Sequence, residues 1–267
     1  VINSRSWASS PQPDALPDHQ EILEGTDWAS LTTPYGTGAS LPETLTRLLD
    51  LDPAVRATAA KDALDEVSHQ NTIYEATVPV ALYVSAILNH SSTAAGELDH
   101  HSDPPPRHPT RARLLDWLGA TAYDADDEAV ATHERSCNDR FRCEYWPMRA
   151  FRDLRPAIFS AVQPFLGHAH EEVRDAALVA AIPLAEHPVL TTRRAELADH
   201  ARRLLATSND RYKRDRALEA LTAWGHDTSA LENANDIAAR ELQARPADPD
   251  DWWASNGIDG FSEEPPF

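Results

Sequence analysis

Four things are scarce in this chain, and each scarcity closes off a class of protein. There are only two cysteines in 267 residues, Cys137 and Cys143, too few for a disulfide framework, so a reducing, cytoplasmic setting is expected. Long apolar runs are missing too. The longest, Val78 to Leu88, has eleven residues broken by Pro79, Tyr83 and Ser85, against the roughly 20 that a membrane-spanning helix needs. The first twenty residues hold no apolar core of the signal-peptide kind, although Val1 in place of Met leaves room for residues upstream. Glycine is sparse, with nine residues against twenty prolines. With strong Ala and Leu usage and few β-branched runs, this argues against a large sheet and for an all-α chain.

Positive charge is the fourth shortage. Lys and Arg number 24 against 43 Asp and Glu, a net charge of −19, so non-specific attraction to nucleic-acid phosphates is not expected. A partner protein with a basic surface is electrostatically easier; otherwise the acids are solvated outer faces that keep the chain soluble. Catalytic signatures are missing as well: there is no Gly-x-Ser-x-Gly, phosphate-cradling Gly-rich loop, His-Glu-x-x-His or dinucleotide fingerprint. No cofactor is expected.

What is present is a repeat. Val55, Ala59, Ala60, Ala63, Leu64 and Val67 fall on one stripe of a 3.6-period helix whose buried face is made of small residues. The same arrangement returns around Arg174 and Arg214: superposing Arg56, Arg174 and Arg214 superposes Ala59, Ala177 and Ala217. The last two copies are 40 residues apart, a period that predicts stacked helix pairs in an α-solenoid. Arg111 takes the arginine slot of a further copy. A ladder of this kind is expected to bond to an acid or carbonyl of the adjacent repeat, so Arg56, Arg111, Arg174 and Arg214 are read as structural.

Tyr35-Gly36, Leu41-Pro42 with Leu45, the copy holding Arg56, and His69-Gln70 with Tyr74-Glu75-Ala76-Thr77 together resemble a family of bacterial HEAT-repeat proteins common in actinobacteria. The resemblance covers Trp28 to Leu88. It departs at Asn71, where the family favours Gly, and at Val80-Ala81, where it favours Phe-Leu. The resemblance implies a HEAT-repeat solenoid, an all-α superhelix, and the periodicity along the chain predicts about four helix pairs with a capping helix at about 231–242. It also implies a protein-binding role, several members being thought to act as immunity proteins beside secreted toxins.

On this reading residues 1–24 form an irregular arm. The solenoid spans 25–245, with insertions at about 90–107 and 122–147, and an acidic, aromatic tail covers 246–267. His69 and Gln70, backed by Tyr74, are placed at a helix end, either satisfying terminal carbonyls or contacting a partner. Asp124, Asp126, Asp127 and Glu128 form an acidic patch expected to engage a basic surface. The stretch holding Arg140, Arg142, Trp146, Arg152 and Arg155 reads as a salt-bridged helix or a protein contact, and less well as a nucleic-acid surface. His133, Cys137 and Cys143 are weak zinc candidates, lacking a short C-x2-C pair. The expected function is an immunity protein, or antitoxin, that occludes a toxin. The rivals are a scaffold in a larger complex and a HEAT-like DNA glycosylase, which needs a basic concave groove.

Overall fold

In a computed structural model of the chain, residues 16–94, 109–128, 131 and 146–243 are described. They are mostly helical. The helices are α1 (His19–Gly25), α2 (Leu41–Arg47), α3 (Pro53–Glu66), α4 (Thr77–Ile87), α5 (Thr110–Asp124), α6 (Trp146–Val162), α7 (Glu171–Leu184), α8 (Arg194–Thr207), α9 (Arg211–Ala223) and α10 (Ala234–Gln243). Two hairpins of two-residue strands interrupt them: β1 (Thr32–Thr33) with β2 (Gly36–Thr37), and β3 (Ser68–His69) with β4 (Thr72–Ile73).

The helix starts follow local chemistry. Asp52 accepts a hydrogen bond from Ala54 N, and Pro53 opens α3 where its missing N–H costs nothing. Asp210 accepts from Lys213 N at the head of α9. Pro79 falls in the first turn of α4, so it marks where that helix begins rather than kinking it.

Helices adjacent in sequence pack as pairs: α2 on α3, α4 on α5, α6 on α7 and α8 on α9. Across the pairs, α3, α5, α7 and α9 touch in succession, while α4 packs on α6. The small residues of the stripe explain the closeness of the inner row. Ala59, Ala60 and Ala63 of α3 and Ala176, Ala177, Ala180 and Ala181 of α7 are buried. At Gly119 of α5 an added Cβ would lie 3.1 Å from the Ala180 backbone, so a larger residue would push α5 and α7 apart by a few tenths of an ångström. Leu114, Leu115, Leu118, Phe151, Ile158 and Leu184 belong to one continuous core running between the pairs.

Four expectations need correction. The arm is not irregular throughout: His19–Gly25 is a helix that packs on α4 and buries Ile22 completely, because Asp18 caps it and Trp28 Nε1 bonds back to Leu23 O. The insertion expected from 122 starts later, since α5 continues to Asp124. His69 and Gln70 do not end a helix. They enter the β3–β4 turn, where Gln70 and Asn71 both take left-handed backbone (φ 49° and 57°), the geometry of a two-residue primed turn. Asn is one of the few non-glycine residues that tolerates that region.

The arginine ladder is the fourth. Arg56 donates to Asp50 O and Leu51 O, Arg174 to His168 O, and Arg111 to Leu88 O and His90 O. Through these bonds each guanidinium ties down the connection leading into its own helix, and Arg111 also lies over the Phe165 ring of the next pair, 4.8 Å from its centroid. Such connections leave carbonyls unsatisfied at the end of the preceding helix, and an arginine one turn into the next helix is placed to answer them. Arg214 does this, through Leu205 O and Ser208 O, and also reaches forward to Leu231 O and Asp236.

A candidate protein-binding groove

The faces of α3, α5 and α7 turned away from their paired helices, together with the β3–β4 hairpin and the start of α9, line an open groove of about 1400 Å³. Sites for small molecules run to about 300–1,000 Å³ and enclose their ligand; an open trough of this size suits a segment of a macromolecule. Its charge is one-sided. Asp65 comes from α3, Asp116 and Asp124 from α5, Glu171, Glu172 and Asp175 from α7, and Asp210 from the head of α9. Against these stand Lys61, Arg113 and Lys213, two of which face acids already: Lys61 Nζ is 2.8 Å from Asp65 and Lys213 Nζ is 4.0 Å from Asp210.

One wall carries an aromatic surface. Trp117 of α5 is half-buried and donates from Nε1 to Ser68 Oγ at 2.9 Å, which fixes its ring beside the hairpin. Beyond the hairpin, exposed Tyr35 meets the edge of His69 with ring centroids 6.2 Å apart. Glu75 secures the neighbouring hairpin by accepting from Thr32 N and Oγ1. The hairpins are therefore braced to one another, and His69 and Gln70 stand on the groove's rim. Half-buried Tyr74 does not line the groove.

The acidic patch expected at 124–128 divides. Asp124, the last residue of α5, faces the groove, and burial, then the charge of Asp126, push its carboxyl up to about 6 against the opposing pull of Arg216. Asp127 turns the other way. Its carboxylate takes Arg152 Nη2 at 2.8 Å and Arg155 Nη1 at 3.0 Å, and its N–H donates to Glu186 Oε2. Burial raises the Asp127 carboxyl, but the Arg155 and Arg152 contacts outweigh it and hold the group below its ordinary value. Asp127 is thus a bracket between elements, a role its place in an acidic run concealed. Asp126 lies half-buried between them, and Glu128 is exposed on neither surface's wall. The helix expected around the arginines begins at Trp146, but Arg140, Arg142, His133, Cys137 and Cys143 lie outside the described residues.

Asp124 gives a pH-dependent expectation. Its folded carboxyl titrates above the unfolded value near 3.9, so the fold holds the proton more tightly, and stability falls as pH rises from about 4 through about 6. Asp124→Asn should therefore raise the unfolding temperature at pH 8 and change it little at pH 4. Equal shifts at both values would remove the burial argument. The measurement is thermal unfolding followed by circular dichroism.

Sequence reasoning missed most of the groove because its acids come from helices far apart in the chain. The signal that would have found one of them is the ladder alignment. The position after the arginine is alanine in two copies, Ala57 and Ala112, but aspartate in the other two, Asp175 and Asp215. Among the described residues no three His, Cys, Asp or Glu converge as metal ligands, and no helix is long and apolar enough to cross a membrane. The fold and groove thus define a class, a helix-pair stack with an acidic trough. No protein-family model, curated protein or solved structure matches the chain.

Proposed function

We propose that the chain is a HEAT-type α-solenoid that works by binding another protein, and that its groove receives a basic surface of that partner. The observation that carries this reading is the groove's charge, seven carboxylates against three basic groups over α3, α5, α7 and α9. An electrostatic trough of one sign raises the encounter rate with a partner of the opposite sign and discourages others. The pairwise packing, with α3, α5, α7 and α9 touching in succession, supports the solenoid part. The resemblance at Trp28 to Leu88 supports a narrower role, an immunity protein that occludes a toxin in the cytoplasm of the producing cell. A scaffold role rests on the same groove with a harmless partner. A DNA glycosylase is disfavoured, since its groove must attract phosphates and this one repels them.

The test is capture of a partner by the tagged full chain from the organism that encodes it, followed by co-expression. The wild type should retain a basic protein that arrests growth when expressed alone and is silenced when the wild type is present. A variant carrying Asp65→Lys, Asp116→Lys and Glu171→Lys, all at exposed positions, should lose both capture and protection. A basic but non-toxic partner lost by the same variant would support the scaffold instead. Protection undiminished by the triple change would place binding elsewhere.

A further inference from the structure

Asp175 differs from the other acids of the groove. It is only 4% exposed, yet it lines the trough. Its one ion pair, to Arg174 Nε, is 3.7 Å long, beyond hydrogen-bond reach, and no described residue donates a hydrogen bond to its carboxylate. Burying a carboxylate with no hydrogen-bond donor beside it costs free energy; the same position is alanine in two copies, Ala57 and Ala112, and in the fourth it holds Asp215, whose side chain is 40% exposed and lies 3.6 Å from Arg211. Burial pushes the Asp175 carboxyl up; Lys213 from α9 and Arg174 pull against it, and Glu171 and Asp210 push with it, leaving the group raised.

We infer that Asp175 is the anchor for a single Lys or Arg side chain of the partner, which inserts between α7 and α9 and supplies the missing donors. This rests on the acidic-groove reading and sharpens it from a charged surface to a defined pocket. A cationic side chain entering here would be desolvated together with its acceptor, the situation in which one charged contact dominates an interface. Trp117 and the exposed acids would then hold the flanking residues more loosely.

The probe is a fluorescein-labelled nona-arginine peptide titrated into the full chain at low salt and read by anisotropy. Asp175→Ala and Asp175→Asn should each weaken binding at least tenfold, while Asp62→Ala, at an exposed acid of α3 outside the groove, should change it less than twofold. Unfolding midpoints supply the second readout. Removing a buried charge that no described residue hydrogen-bonds should leave Asp175→Ala at or above the wild type, whereas a carboxylate kept for structure would make it fall. Wild-type binding by both Asp175 variants, with binding lost in the triple-lysine variant, would overturn the anchor and leave the groove standing. Failure of the wild type to bind the peptide at all would remove both.

Discussion

Replacing Arg155 with alanine is expected to lower the unfolding temperature by roughly 10 °C, the result of losing about 3–5 kcal/mol from a domain of this size. Arg155, on α6, is 1% exposed and among the largest fully buried side chains. Its guanidinium donates to Asp127 at 3.0 Å and to Ala125 O at 2.6 Å, and lies 3.4 Å from Glu186 Oε2. One side chain therefore joins α6, the end of α5 and the end of α7. Removing it leaves Ala125 O without this donor, Asp127 with Arg152 alone and Glu186 with the Asp127 N–H alone, and burial already pushes Glu186 up despite Arg155. Arg155→Lys should recover little, since a single ammonium cannot span three acceptors in the plane a guanidinium covers. Adding Glu186→Gln to Arg155→Ala should restore part of the loss by removing the stranded charge. A shift of less than about 2 °C for Arg155→Ala would show that the bracket carries little of the fold.

The second large effect is expected at the end of the stack. Arg214 and Asp236 are each 3% exposed at the side chain and joined at 2.6 Å, and Asp236 also accepts from Asn233 N at the head of α10. With its bonds to Leu205 O, Ser208 O and Leu231 O, Arg214 fastens both the α8–α9 connection and the terminal helix. Arg214→Ala should cost about 3–5 kcal/mol, as breaking a buried pair does. The loss should appear first as faster hydrogen exchange over 234–243. The Arg214 hydrogen bond holds the Asp236 carboxyl below its ordinary value. A depressed carboxyl stabilises the fold above the unfolded value near 3.9 and loses that contribution as pH falls through the folded one. Asp236→Asn should therefore be clearly less stable than the wild type at pH 7, with the gap closing below about pH 4. Equal stability at pH 7 would contradict the clasp.

The helix pairs were legible because burying one face of a helix imposes a 3.6-residue period, and the recurring arginine slot was legible because it keeps one place in that period. What the slot does was not. An arginine one turn into a helix can reach forward or back, and only the backbone shows that Arg56, Arg111 and Arg174 reach back to the connection behind them. The hairpins were illegible for another reason: two-residue strands carry no alternation to read, and Gln70-Asn71 is a weak turn signal beside Asn-Gly.

The binding surface shows the same limit. The run Asp124 to Glu128 attracts the eye because its acids are adjacent, yet adjacency in a chain leaving a helix sends neighbouring side chains in different directions. Asp124 goes to the groove and Asp127 to Arg155. The groove's acids gather in space only after α3, α5, α7 and α9 stack, and no local pattern announces them.

Hydrogen exchange with and without the nona-arginine peptide tests the central claim most directly. The account predicts slowed exchange in the groove-lining segments 65–73, 112–124 and 170–175, and unchanged exchange over α2, α4 and α8 on the opposite layer. Slowing confined to that opposite layer, or none in the groove at a peptide concentration that saturates the anisotropy signal, would contradict it.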